Sequence, residues 1–116
     1  MAMNSTEQQL EQIEIGIEAA KAQVNKMEAL LRLIDNKDFK TVIDEGYFKE
    51  EAARVVILKA DPEMQEAKYQ DQLDKSIIAI GHLRQYLRTV MQMGRMAERS
   101  IKDDEQTREE LLAEAV

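Results

Sequence analysis

The sequence predicts an all-α fold: an antiparallel helical hairpin with coiled-coil packing, closed by two short helices and self-associating into a helical bundle. The first observation is composition, because aromatic residues make up 4% of the 116-residue chain, with four Gly and one Pro, and strong helix formers dominate. The second is an apolar repeat with alternating steps of three and four along two long segments. The length suits a single helical domain over 1–116.

The first long segment carries a narrow apolar stripe of the kind that forms a coiled-coil seam. Ser5 and Gln8 stand at the spacing of a capping box at its start. The sequence therefore predicts a first long helix over 6–34. The stripe consists of Leu10, Ile13, Ile17, Ala20, Val24, Met27, Leu31 and Ile34.

The second long segment begins at Asp61, a predicted N-cap, with Pro62 at the first helical position, where its missing N–H costs nothing. We predict a second long helix over 62–110, followed by a tail over 111–116 that is expected to fray, because the charged stretch KDDEQTREELLAEAV has few apolar anchors. Ile77, Ile78 and Met91 flank its apolar frame, so its buried face should be wider than the first helix can cover. The frame consists of Tyr69, Leu73, Ser76, Ile80, Leu83, Leu87, Val90, Gly94, Ala97 and Ile101, and it resumes at Leu111.

The stretch between the long helices contains most of the aromatic residues. Asp38 as N-cap and Gly46 as a left-handed stop predict a short helix over 38–46. A second short helix is predicted over 48–60, although the β-branched run at 55–57 also suits a strand. We expect the aromatic side chains to plug the closed end of the hairpin, with a docking site for another molecule as the alternative. These residues are Phe39, Tyr47 and Phe48.

Catalytic and metal-binding motifs are missing from the sequence. The absence of Cys excludes disulfides, thiolate nucleophiles and Cys-ligated zinc. The single histidine, His82, has no second His or Glu-x-x-His pair beside it, so the ligand motifs of di-iron proteins and metalloproteases are absent. We expect His82 to be a partly buried or surface polar residue that could make a pH-dependent contact. A calcium-binding loop that starts at Asp35 is excluded, because Lys37 and Gly46 stand at the third and twelfth positions, where ligands are required. We therefore expect no enzyme, no catalytic residue, no metal and no cofactor.

Charge and hydropathy restrict the partners. A formal net charge of −7 argues against a nucleic-acid partner, which needs a basic surface. No segment approaches the ~18 consecutive apolar residues of a membrane span. The N-terminal stretch lacks the basic and apolar regions of a signal peptide. We expect a cytoplasmic protein.

The second helix carries a row of arginines on one flank of its seam. These side chains could pair with glutamates of the first helix, namely Glu11, Glu14, Glu18 and Glu28. They could instead hold an acidic ligand, either protein carboxylates or a nucleotide phosphate, because guanidinium groups bind both. The row consists of Arg84, Arg88, Arg95 and Arg99.

Methionines cluster in the stretch VMQMGRMA. Their spacing spreads them around more than a third of a helix, so some should face outward or towards a further helix. They could form a loosely packed core or an adaptable contact surface, and Gly94 and Ala97 would let another helix approach closely. We predict a dimer or higher homo-oligomer, or a protein partner, at an interface of Leu83, Leu87, Val90, Met91, Met93 and Met96.

The stretches FKTVIDEGYFKEEAARVVILKADPEMQ and IAIGHLRQYLRTVMQMGRMAE resemble small, cysteine-free, all-helical proteins of tailed bacteriophages. That resemblance implies a role in virion structure or assembly, or in binding a host factor, and a location in the host cytoplasm or in the virion. It assigns no functional residue. The layout of helix, insert and longer helix is also similar to prefoldin-like chaperone subunits, whose insert is a β-hairpin, whereas Asp38 and Gly46 favour helix here.

We thus expect a non-enzymatic structural or assembly protein that works through helix–helix contacts. The alternative is a regulatory or inhibitory protein that binds a host protein or an anionic ligand. Such a protein would use the arginine row and the methionine-rich surface.

Overall fold

The computed structural model describes residues 4–115. Residues 1–3 and Val116, which the predicted domain and the predicted frayed tail include, lie outside this range. All regular secondary structure in the described range is helical, which confirms the all-α prediction. The elements are α1 (Ser5–Ile34), α2 (Lys37–Phe39), a π-helix (Lys40–Glu51), α3 (Ala52–Ala60), a 3₁₀ turn (Pro62–Met64) and α4 (Ala67–Glu114).

Helix α1 is capped by Asn4. The Asn4 side chain accepts a hydrogen bond from the backbone N–H of Glu7 at 2.7 Å, and the Glu7 carboxylate accepts one from the N–H of Asn4 at 3.2 Å. This reciprocal pair is a capping box. The predicted box at Ser5 and Gln8 is therefore wrong by one residue, because the same spacing one step earlier offers a charged acceptor, which binds an N–H more strongly.

The segment after α1 begins at Asn36 instead of Asp38. The side-chain oxygen of Asn36 accepts hydrogen bonds from the backbone N–H groups of Asp38 at 2.9 Å and Phe39 at 3.1 Å. Asn36 is thus the N-cap of α2, and the predicted cap at Asp38 is wrong. Asp38 instead lies in the first turn, where a carboxylate complements the helix dipole.

The helix continues through Gly46, so the predicted break between 38–46 and 48–60 is wrong. No glycine in the described chain has a positive φ, and Gly46 lies inside the π-helix. A Cβ on Gly46 would lie 3.2 Å from the carbonyl oxygen of Thr41. Glycine therefore relieves crowding in a wide turn instead of reversing the chain. The strand alternative for 55–57 also fails, because these residues belong to α3.

The junction between α3 and α4 is closed by side chains. The Asp61 carboxylate accepts the N–H of Glu63 at 2.9 Å, so it caps the 3₁₀ turn, and α4 starts at Ala67 instead of at the predicted Pro62. The Gln70 side chain donates to the carbonyl oxygens of Lys59 at 3.0 Å and Met64 at 2.8 Å. These bonds satisfy one carbonyl at the end of α3 and one at the end of the 3₁₀ turn. At its other end α4 runs to Glu114, beyond the predicted end at 110.

The chain divides into two compact units. Unit 1 comprises Met1–Ala29 and Val90–Val116, and unit 2 comprises Leu30–Thr89. Both long helices contribute residues to each unit, and each unit is described by itself.

Unit 1 is built where α1 packs against α4. Its contacts join Met27 to Gly94 and Glu14 to Arg108, so the two helices run in opposite directions here. A Cβ on Gly94 would lie 2.6 Å from Met27 Sδ and closer still to Met27 Cβ. Glycine at this position therefore permits the close approach of the helices. The buried side chains are Ile17, Ala20, Met27, Val90 and Ala97.

Unit 2 has its own small core, formed by Leu30, Val55, Leu73 and Ile80. The apolar stripe predicted that Leu31 and Ile34 would be buried, and this prediction is wrong, because both are exposed and Leu30 is buried instead. Ser76 is also exposed and donates to the carbonyl of Gln72 at 3.1 Å, so its predicted place in the α4 seam is wrong. Of the two predicted flanking isoleucines, Ile77 is half-buried and Ile78 is exposed.

Candidate functional site

The predicted interface residues on α4 differ in exposure. In unit 1, Val90 is buried in the seam, Met91 is half-buried, and Met93 and Met96 are 43% and 50% exposed. In unit 2, the predicted Leu83 and Leu87 are half-buried. The methionines that offer a free apolar surface are therefore Met93 and Met96.

The arginine row is divided between the two units. In unit 1, Arg95 and Arg99 line a groove of about 350 Å³ together with Glu98 and Lys102. In unit 2, Arg84 lines a different cleft, which it shares with Phe48 and with charged residues of the π-helix. Arg88 is exposed on α4 and lines neither. The pair Arg95 and Arg99 is thus the part of the row that the structure brings together.

Two of the four predicted glutamate partners of the row, Glu14 and Glu18, bind elsewhere in unit 1. Glu14 forms an ion pair with Arg108 at 2.5 Å, and the hydrogen bond and charge of Glu14 raise the pKa of the Arg108 guanidinium. Glu18 pairs with Lys21 of its own helix at 3.2 Å. The sequence analysis missed Arg108, although this residue continues the steps of three and four from Ile101 towards Leu111.

The aromatic residues lie in unit 2. Phe39, Tyr47 and Phe48 are all half-buried, and the rings of Tyr47 and Phe48 lie 5.9 Å apart between centroids in a tilted arrangement, within the range of a favourable aromatic pair. Their role as a plug stays a prediction. His82 is exposed on α4.

A groove that the sequence analysis missed runs between the N-terminal part of α1 and the C-terminal part of α4 in unit 1. It has a volume of about 420 Å³, and every residue that lines it is uncharged. The signal in the sequence was an absence of charge along one side of α1. The lining residues are Ser5, Gln8, Gln9, Gln12, Ile13, Thr107 and Leu111.

Within residues 4–115, no three or more His, Asp or Glu side chains are grouped so that they could hold a metal ion. In the same part of the chain, no helix has both the length and the apolar character needed to cross a membrane. No family model, no curated protein and no solved structure matches the chain.

Proposed function

We propose that the protein is a non-enzymatic helical structural or assembly protein that acts through helix–helix contacts. The observation that carries this proposal is the apolar surface of α4 outside its seam. Val90 and Ala97 are buried against α1, whereas Met93 and Met96 of the same stretch face outward. Methionine forms adaptable contact surfaces, so a second helix pair can cover these side chains.

The proposed architecture is an antiparallel hairpin with coiled-coil packing that joins further copies into a helical bundle, most simply a dimer with four helices. The contacts of Met27 with Gly94 and of Glu14 with Arg108 support the antiparallel direction. The steps of three and four in both long helices support coiled-coil packing. The resemblance to small phage proteins makes a phage particle, or its assembly, the biological setting that we propose.

The exposed area of the chain supports self-association. The chain exposes 8763 Å², about 2,300 Å² more than the roughly 6,500 Å² expected of a compact protein of its mass. A stable interface buries about 800 Å² per partner. The surplus therefore exceeds what one dimer interface requires.

The proposal is tested with a pair of charge substitutions on the outer surface of α4. Met93→Glu combined with Met96→Glu should dissociate the oligomer while far-UV circular dichroism stays unchanged. Gln92→Glu is the control, because it adds a carboxylate at another exposed position of the same helix. An oligomer that survives the double substitution would remove the methionine surface from the proposal.

The groove of Arg95 and Arg99 favours a second candidate, a regulatory or inhibitory protein that holds a host protein or an anionic ligand. No ion pair among the described residues of unit 1 engages these two guanidinium groups. Arginine binds carboxylates and phosphates with two parallel hydrogen bonds. Lys102 adds a third positive charge to the groove, against the single carboxylate of Glu98.

This second function is tested by titrating the protein with an acidic peptide and with inorganic phosphate at several salt concentrations. Binding through the groove should weaken steeply as salt rises and should be lost in Arg95→Gln with Arg99→Gln. Binding that is unchanged in the double variant would contradict this candidate.

A further inference from the structure

We propose that self-association uses one charge-poor face of unit 1 and that its occupant is a second copy of this chain. The inference rests on the proposed function and specifies its partner and its contact surface. The uncharged face, as we name it, extends beyond the methionines of α4 onto α1, which the sequence-based interface did not include. It is defined by Gln12, Ala19 and Gln23 of α1 with Met93, Met96 and Ser100 of α4.

Charge on α1 is segregated to one flank of the seam. In a heptad with Ile17 at position a and Ala20 at position d, the residues of the uncharged face occupy positions c and g. The glutamates of this stretch occupy positions b and e, on the other flank; they are Glu7, Glu11, Glu14 and Glu18. The outermost position f is also uncharged at Ile15, which is 57% exposed.

Charge on α4 follows the same division in unit 1. Arg95, Glu98 and Lys102 occupy positions b and e and line the charged groove. With Val90 and Ala97 at position d of the seam, Met93 and Ser100 occupy position g and Met96 occupies position c, on the other side of the seam. Between Val90 and Lys102, the charged residues of α4 therefore lie away from positions c and g, as those of α1 do before Lys26.

The geometry of unit 1 places the two uncharged flanks side by side. The groove without charged residues is formed by Gln9 and Gln12 of α1 together with Thr107 of α4, all at positions c or g. On the other flank, Glu14 pairs with Arg108. The uncharged flanks of both helices therefore lie on the same side of the seam, with the carboxylate of Asp104 beside Gly16 between them.

An uncharged face of this kind suits a second copy of an acidic chain. Each copy carries a formal net charge of −7, so two copies repel each other least when their charged flanks point away from the contact. In a twofold dimer the same patch meets itself, and a patch of one sign would oppose association. Glutamine and serine side chains carry both donors and acceptors, so they can pair with their own kind.

Four charged residues occupy heptad positions c and g in unit 1, namely Lys26 of α1 and Asp103, Glu110 and Glu114 of α4. Lys26 and Asp103 are the two that lie next to the uncharged face, and they have opposite signs. Lys26 lies near the end of the face that contains the contact of Met27 with Gly94, and Asp103 lies towards the end where Gly16 approaches Asp104. In an antiparallel twofold pair, each end of one copy meets the opposite end of the other. Lys26 then lies towards Asp103 of the partner subunit, which favours this orientation.

The surface available is sufficient for this contact. The chain exposes about 2,300 Å² more than a compact protein of its mass, against the roughly 800 Å² per partner that a stable interface buries.

The first test adds a carboxylate to the face at an exposed position of each helix. Ala19→Glu and Ser100→Glu should each raise the dissociation constant of the dimer at least tenfold, because twofold symmetry places two new like charges at the contact. Asn25→Glu is the matched control, since it adds the same charge at an exposed position on the charged flank of α1. It should change the dissociation constant less than twofold. Sedimentation equilibrium gives the constants, and circular dichroism checks that each variant is helical.

A second measurement does not depend on a destabilising substitution. Because the chain has no cysteine, a single introduced thiol reacts alone with a short bismaleimide. Ala19→Cys and Ser100→Cys should yield cross-linked dimers, and Asn25→Cys should not. Cross-linking of equal yield at all three positions would overturn the assignment of the face.

The outcomes separate this inference from the proposed function. A wild-type protein that stays monomeric contradicts both. A wild-type oligomer that neither Ala19→Glu nor Ser100→Glu weakens overturns the uncharged face and leaves self-assembly standing. Lys26→Asp should weaken the dimer, and adding Asp103→Lys to this variant should restore the affinity. Absence of that rescue would overturn the antiparallel orientation.

Discussion

Gly94 controls how closely α1 and α4 approach in unit 1, so its replacement by alanine should destabilise the protein. A helix-interior Gly→Ala change alone gains about 1 kcal/mol. Here the new Cβ would lie 2.6 Å from Met27 Sδ and 2.8 Å from Met27 Cγ, and closer to Met27 Cβ. Overpacking costs about 1–3 kcal/mol, at the upper end where a Cβ fixed to the backbone must move. The expected net loss is about 2 kcal/mol, or about 8 °C in Tm.

Gly81 provides a matched control in the same helix. A Cβ on Gly81 would meet no atom within 4 Å, so Gly81→Ala should gain about 1 kcal/mol and raise the Tm by about 4 °C. Urea and thermal unfolding followed by far-UV circular dichroism measure both variants. All samples need one protein concentration, because self-association makes the Tm concentration-dependent.

A second substitution identifies the atom responsible for the clash. Met27→Ala keeps the Cβ, so it should not rescue Gly94→Ala, and its own cost of about 2–5 kcal/mol as a core truncation should add to the loss. A Gly94→Ala variant as stable as Gly81→Ala would refute the reasoning about close approach. Rescue by Met27→Ala would show that the flexible end of the Met27 side chain, and not the backbone spacing, limits the site.

Three further substitutions test the caps and ion pairs. Asn36→Ala removes the N-cap of α2 and should cost about 1 kcal/mol in urea unfolding; an unchanged midpoint would contradict the cap. Gln70→Ala removes the side-chain donor of the Met64 carbonyl oxygen, while the Lys59 carbonyl oxygen keeps the amide of Gln65. It should cost about 1–3 kcal/mol, whereas a neutral result would mean that water replaces the amide. The hydrogen bond and charge of Arg54 lower the pKa of the Glu51 carboxyl in the folded protein. The stability that this carboxylate contributes is therefore present above the ordinary carboxyl pKa, and it is lost as the pH falls through the lowered pKa of the folded protein. The Tm difference between wild type and Glu51→Gln should therefore vanish in acid, and a difference that persists there would contradict this origin.

The apolar repeat of α4 was predictable because steps of three and four mark a buried stripe directly. Leu73, Ile80, Val90 and Ala97 are buried as the frame requires. The α1 stripe fails at its end, where Leu30 is buried instead of Leu31. A straight helix drifts relative to a 3.5-residue repeat, so after several turns the neighbouring apolar residue comes to face the core.

Helix ends and the π-helix were harder to read from the sequence. Asn4 and Asn36 cap their helices where Ser5 and Asp38 were predicted, because residues of similar capping ability stand within two positions of each other. Gly46 suggested a stop, yet glycine also serves where a wide turn crowds a Cβ against a carbonyl oxygen. The sequence pattern does not distinguish these two uses.

The candidate surfaces were predictable only where a single helix determines them. Helical spacing alone predicted that some of the methionines face outward, and the structure identifies them as Met93 and Met96. The arginine row lies on one helix, but the grooves also depend on residues from other segments, so Arg84 and Arg95 line separate grooves. The uncharged face needs the register of α1 against α4, which the contact of Met27 with Gly94 supplies.

Self-association is the central claim, and the absolute mass in solution tests it most directly. Light scattering across a concentration series, at low and high salt, should give a multiple of 13.4 kDa in both salts, because salt does not screen apolar and uncharged contacts. A mass of one chain at every concentration would contradict the account.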